Sequence, residues 1–87
     1  MDTEIRKALQ KSLGKCIKKI RLDKGLKQNE VARRCGFYKS NYNSIELGLR
    51  NVSLINIYKI AFALEEPISS FFDDVEFSQF LEHYNDK

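Results

Sequence analysis

The sequence predicts an all-α fold, and three observations carry that prediction. Glycine is sparse, with four in 87 residues, and the single proline is Pro67. No Gly/Pro/Asn-rich turn separates alternating apolar runs, which argues against a sandwich or barrel of short strands. Apolar residues instead recur at steps of three and four over most of the chain, the period of helices with one buried face. A chain of this length forms one small domain with a helical core and little surplus stability.

The first helix is expected to begin at Asp2 or Thr3, either of which can cap it, and to end at Gly25. Ile5, Leu9, Leu13, Cys16, Ile17 and Ile20 form its apolar stripe, while Lys7, Lys11, Lys15, Lys18 and Lys19 occupy the other faces. The stripe is long for so small a core, so its end at Ile5 and Leu9 is expected to reach a partner chain. Gly14 stands out as a blemish, costing about 1 kcal/mol against Ala in an exposed helix.

The stretch LKQNEVARRCGFYKSNYNSIELGLRN, residues 26–51, reads as two short helices around a glycine-centred turn. One runs from Gln28 to Cys35 and is broken by Gly36; the next runs from Lys39 to Leu47 and is stopped by Gly48. Val31, Ala32 and Cys35 are spaced to bury one face of the former, and Tyr42 and Ile45 to bury one face of the latter. Lys39, Ser40, Asn41, Asn43 and Ser44 are left facing outward. None is a carboxylate and all donate hydrogen bonds, the profile of a helix that lies in the major groove of double-stranded DNA.

Ser53 is expected to cap a fourth helix running to Leu64, with Leu54, Ile57, Ile60, Ala61 and Leu64 inward. Glu65, Glu66 and Pro67 end it, because the residue before proline avoids helical geometry. Pro67 to Phe72 is a short fifth helix supplying Ile68, Phe71 and Phe72 to the core. Asp73 or Asp74 can cap a last helix, VEFSQFLEHY, in which Val75, Phe77, Phe80, Leu81 and Tyr84 are apolar.

The net charge of +3 hides a division. Residues 1–50 hold 13 Lys and Arg against 5 Asp and Glu, a net +8; residues 51–87 hold 2 against 7, a net −5. A basic half joined to an acidic half implies a polyanion-binding face and a second face with another task. Cys16, Cys35 and His83 fall short of the about four spaced ligands of a zinc site, so no metal or other cofactor is expected, and both cysteines read as small buried hydrophobes. No apolar run approaches a membrane span of about 20 residues. The N-terminus lacks the apolar core of a signal peptide, so a cytoplasmic protein is expected. No nucleophile–base pair, paired-carboxylate pocket or phosphate-cradling loop is present, which points away from an enzyme, and no small-molecule ligand is evident.

The chain resembles the lambda-repressor-like helix-turn-helix family of bacterial and phage regulators. The matching residues are Arg21, Gly25 and Leu26; Gln28, Glu30, Val31 and Ala32; Gly36; Ile45, Glu46 and Gly48; Arg50 and Asn51; Ser53 and Leu54; Ile60, Ala61, Ala63 and Leu64; and Ser69, Phe71 and Phe72. They cover about Leu13 to Phe72. The compact format, with IKKIRLDKG, RNVSL and an acidic–aromatic C-terminal helix, is similar to the controller proteins of restriction–modification systems. Phage repressors and antitoxin-type autorepressors share the fold, and a protein-interaction module without DNA binding is the reading from another class.

The resemblance implies a five-helix core over about residues 13–72, with residues 73–87 as an additional dimerisation helix. It implies homodimers on inverted-repeat operators, with RNA polymerase as a candidate further partner. Gln28 would bind a backbone phosphate, Lys39, Ser40 and Ser44 would read bases, Asn41 and Asn43 would flank them, and Arg50 and Asn51 would grip phosphates beyond the helix. Arg21 and Glu46 would form a structural ion pair. Two positions depart from the family pattern, where small capping residues are usual: Lys27 and Tyr38. Both helix starts are expected to lack caps, with Lys27 available to a phosphate and Tyr38 to the sugar–phosphate backbone or a thymine methyl. Glu65, Glu66, Asp73, Asp74 and Glu76 should point away from DNA, and some of Phe71, Phe72, Phe77, Phe80 and Tyr84 should form the two-fold interface.

Overall fold

The computed structural model describes residues 2–73 and 77–80. In order these form α1 (Thr3–Asp23), α2 (Gln28–Cys35), α3 (Lys39–Glu46), α4 (Leu54–Leu64) and a 3₁₀ helix (Ile68–Phe72), with residues 77–80 again helical and no strand among the described residues. The all-α expectation holds, and each boundary has a local cause. Asp2 caps α1 by accepting from the Glu4 N–H at 2.7 Å, and Ser53 caps α4 by accepting from the Asn56 N–H at 3.2 Å. The end of α4 is not left to the proline. Glu65 turns into the left-handed region (φ 56°), and the Glu66 N–H returns to the Ala61 carbonyl at 3.0 Å. Pro67 then opens the 3₁₀ turn.

α2 packs on α3 and α4, while α1 packs on α3 and on the 3₁₀ helix, which also touches α4. The core between them is centred on Ile17, Val31, Tyr42, Ile60, Leu64 and Phe71, all essentially inaccessible to water. Cys35 belongs to it. Burial pushes its thiol up to about 11, so it stays protonated and donates weakly to the Lys59 carbonyl, in keeping with the buried-hydrophobe reading. Cys16 is half-buried.

Four expectations are corrected. Leu54 is 63 % exposed, so it belongs to the outer face of α4. Phe72 is 43 % exposed, its ring 5.5 Å from that of Phe77, and only Phe71 of that pair enters the core. Ile5 is buried within this chain, although outside the contiguous core, so the start of α1 is not a free apolar end. Val75, Leu81 and Tyr84, with Asp74 and Glu76, lie outside the described residues.

The fourth correction concerns Gly14. It is no exposed blemish; it is where α1 crosses the end of α3. A Cβ there would meet the carbonyl oxygens of Ile45 and Glu46 at 2.5 Å, and both are backbone atoms with nowhere to move. Gly48 makes the reciprocal approach. It sits at φ 75°, and a Cβ on it would meet Lys11 Cα at 2.5 Å. Two glycines thus let α1 and the end of α3 touch backbone to backbone. Gly14→Ala therefore sets about 1 kcal/mol of helix propensity gained against overpacking of about 1–3 kcal/mol or more. The expected outcome is a net loss of stability, read as a lower urea midpoint; an alanine variant as stable as wild type would show that the contact relaxes at no cost.

Candidate nucleic-acid interface

α2 and α3 are each eight residues long, too short to be stable alone. Their geometry comes from a buried polar network. Arg21 of α1 grips Glu46 of α3 with two bonds, Nε to Oε2 at 2.6 Å and Nη2 to Oε1 at 3.0 Å. Its remaining Nη1 donates to the Leu26 carbonyl at 2.9 Å, just before α2. Gln28, the first residue of α2, donates its side-chain amide to Glu46 Oε1 at 3.0 Å and to Asn43 Oδ1 at 2.9 Å. One carboxylate therefore fixes three helices. The ion pair inferred from the family resemblance is present.

The burial of this network perturbs its acids. Burial pushes the Glu46 carboxyl up, but hydrogen bonds from Arg21 and Gln28 and the charge of Arg21 outweigh it, leaving Glu46 below the usual carboxylate range. Burial, and then the Glu46 carboxylate, push the Tyr42 phenol up, so it is neutral. Tyr42 Oη feels the Glu46 charge yet is buried without a hydrogen-bond partner.

Outside the network lie the groups left for a ligand. Lys27 and Tyr38 hold the cap positions of α2 and α3 in extended conformation, and neither side chain accepts from the helix that follows. The expected loss of both caps is present in this structure. The bare helix starts face solvent with the positive ends of their dipoles. Lys39 and Ser40 are exposed on the first turn of α3, beside Tyr38 at 79 % exposure. An open cleft brings Arg21, Lys27, Gln28, Asn29 and Lys39 together across the ends of α1, α2 and α3. Asn29 joins the predicted residues in this cleft, and its place beside Gln28 on the first turn of α2 is the sequence signal for it.

The other predicted residues are half-committed to the protein. Asn43 accepts from Gln28, which makes it a spacer between the two helices. Asn41 accepts from Arg50 Nη2 at 2.9 Å, holding that guanidinium against α3. The Ser44 hydroxyl donates to the Ser40 carbonyl at 2.9 Å, which leaves its lone pairs as an acceptor. Arg50 and Asn51 are exposed after α3. Arg34 Nη1 donates to the Ala63 carbonyl at 2.9 Å and so ties α2 to α4.

A helix-turn-helix family model matches residues 17–71, most of the chain and all of this site. The control protein C.MunI of a Mycoplasma species is 41% identical over 64 residues, covering 72% of this chain and 86% of that protein. The crystal structure of the restriction–modification controller protein C.AhdI from Aeromonas hydrophila superposes with a TM-score of 0.73 at 37% identity, covering 75% of this chain and 98% of that one. The restriction–modification controller protein C.Esp1396I, solved as a tetramer in complex with its natural 35 base-pair operator, gives 0.68 at 27% identity over 85% and 91%. The chain is a DNA-binding regulator of the helix-turn-helix family. This is a family of transcriptional regulators, not of enzymes. Among the described residues no group of His, Cys, Asp and Glu is placed to hold a metal ion, and no helix is long and apolar enough to cross a membrane.

The Arg21–Glu46 ion pair gives this chain a buried joint that depends on an ionised carboxylate. A carboxyl depressed in the folded state contributes stability above its unfolded pKa, near 4.5, and that stability is lost as pH falls through the lower folded value. Stability should therefore decline on acidification below about 4.5, and Glu46→Gln should flatten that part of the profile. Glu46→Ala strands Arg21 in a buried site and should cost about 3–5 kcal/mol, measured by denaturant unfolding at neutral pH. An alanine variant within about 1 kcal/mol of wild type, the range of an exposed pair, would refute the role given to the network.

Proposed function

We propose that the chain is a homodimeric controller of a restriction–modification system, reading an inverted-repeat operator in the cytoplasm through α3. The observation that carries this is the exposed first turn of α3, with Lys39 and Ser40 on a rigidly held, uncapped helix beside Lys27 and Gln28. Lys39 donates to guanine O6 or N7, and Ser40 and Ser44 offer short hydroxyls to base edges. Gln28 and Lys27 take a phosphate at the start of α2, where free N–H groups assist. Gln28 can do so only by sharing or releasing its bond to Asn43. Arg50, placed by Asn41, and Asn51 take phosphates past the far end of α3, and Tyr38 lies against the backbone or a thymine methyl. Asn41 and Asn43 then act mainly by holding Arg50 and Gln28. Activation would add RNA polymerase as a partner.

Selecting the preferred duplex from random DNA tests the reading. A pseudo-palindrome with half-sites about one turn (~34 Å) apart is expected. Lys39→Ala should lose about 1–3 kcal/mol of binding and relax one position in each half-site, whereas Lys27→Ala should weaken all sequences alike. If Lys39→Ala leaves the selected sequence unchanged, α3 is not the reader.

The second half of the proposal is the dimer. α4 is apolar at nine of eleven positions, and a helix apolar all round wants burial on every side. One face is in the core. Leu54, Ile55, Tyr58 and Phe62 lie 41–74 % exposed on the other, with Phe62 the most open. A two-fold contact through this face covers it. Phe72, Phe77 and the remainder of residues 73–87 add to that contact. Phe62→Glu should leave the monomer folded, since the side chain is already in water, but give a monomeric mass by sedimentation equilibrium and much weaker operator binding. A Phe62→Glu chain that dimerises as tightly as wild type would exclude α4 from the interface.

A further inference from the structure

α1 carries cations that operator reading does not use. From Arg6 to Leu22 it holds seven Lys and Arg and no carboxylate. Arg21 is committed to Glu46. Lys7, Lys11, Lys15 and Lys18 are exposed, and among the described residues none has an ionic or hydrogen-bonding partner. Like charges four apart on a helix repel, and Lys7, Lys11 and Lys15 stand at that spacing twice over. A face serving solubility alone is better built with both signs interspersed.

The row is also placed in relation to α3. Gly14 and Gly48 bring the middle of α1 into backbone contact with the C-terminal end of α3, Lys11 itself being the residue under Gly48. At 100° per residue, Lys7, Lys18 and Lys11 lie within about 60° of Gly14 around the helix, and Lys15 stands at its outer edge, about 100° from Gly14 on the same side. They occupy the flank of α1 next to α3, away from the stripe of Leu13, Ile17 and Ile20 that packs on the core. Two residues past Gly48 is Arg50, held by Asn41 of α3. A basic strip therefore continues from the end of α3 onto α1, and Lys7 to Lys18 span about 16 Å of helix, roughly half a turn of duplex.

We infer that this flank of α1 is a second DNA-backbone contact, in which Lys7, Lys11, Lys15 and Lys18 bind phosphates outside the base pairs read by α3. The inference rests on the operator reading proposed above. Its occupant is DNA rather than an acidic protein because the strip is continuous with the end of the recognition helix. The contact is sequence-independent and contributes affinity and salt dependence.

The test uses the full chain and the duplex it selects from random DNA, in two lengths: trimmed to the selected bases, and extended by about one turn, ~10 base pairs, on each side. Binding is titrated against salt for wild type, for K7Q/K11Q/K15Q/K18Q and for the four-fold Lys→Arg variant. On the long duplex the Gln variant should lower the slope of log K against log salt by roughly 3–4 per protomer, at about 0.9 per phosphate, while selecting the same sequence. The Arg variant should keep the wild-type slope, and the trimmed duplex should bring wild type down to the slope of the Gln variant. If the four-fold variant does not fold, K7Q/K11Q and K15Q/K18Q should each give about half the change. An unchanged slope on the long duplex overturns this inference and leaves the operator reading intact. So does unaltered DNA binding with loss of transcription activation, which would make the partner an acidic protein surface. Wild-type protein that selects no sequence overturns both.

Discussion

The Glu46 carboxylate is the constraint on which the helix-turn-helix unit depends. It lies at the end of α3, almost wholly buried, and takes bonds from Arg21 of α1 and Gln28 of α2. A buried ion pair is a poor source of net stability, because desolvation consumes most of the Coulombic gain. What it supplies here is angle. α2 and α3 are two-turn helices with no caps, and propensity alone would leave them frayed. A bidentate guanidinium fixes the direction of the carboxylate, and the carboxylate fixes the amide of Gln28. The second bond of that amide fixes Asn43. The inner face of α3 is thereby set by polar geometry as well as by the packing of Tyr42 and Ile45.

The two glycines act on the same end of α3 from the other side. Gly14 admits the Ile45 and Glu46 carbonyls, and Gly48 admits the backbone of Lys11. Close approach shortens the distance that Arg21, two turns further along the same face of α1, must span to reach Glu46. The ion pair and the glycine contact are thus parts of one joint, and side chains at either glycine would separate the helices that the ion pair joins. The same C-terminal end of α1 is tied more loosely to the approach to the 3₁₀ helix, through Lys24 to Glu66 at 3.1 Å, a partly exposed pair of modest worth.

Helix positions were legible because their signals are local. Asp2, Ser53, Gly36 and Gly48 each end or start an element through their own backbone needs. The 3.6-residue period located the core faces of α2 and α3. What was not legible depends on which elements meet. Gly14 reads as a defect until α3 is known to cross it. Apolar spacing places Leu54 inward, but α4 is apolar on all sides, so its sequence does not say which stripe faces the core. A single helix offered two apolar faces, and only the positions of α2 and the 3₁₀ helix decide between them. Asn41 and Asn43 belong to the predicted outward polar face, yet composition cannot say that Arg50 and Gln28 claim their carbonyl oxygens. Arg21 with Glu46 was legible only through family resemblance, since 25 residues separate them and other opposite charges stand nearer in sequence.

The bare starts of α2 and α3 now look less like flaws. A missing cap costs about 1 kcal/mol, and this chain accepts that cost twice on the same face. Cap residues satisfy the first N–H groups from within, and in doing so occupy the positions that an anion would take. With Lys27 and Tyr38 there instead, those donors stay open and the adjoining side chains add a cation and an aromatic ring. Under the proposed function the phosphates of the operator complete both helices. The stability withheld from the free protein then returns as binding energy, and a ligand that binds only the folded form adds to its stability in proportion. The Glu46 network makes the arrangement workable, because it holds the helices at the correct angle while their starts remain unsatisfied.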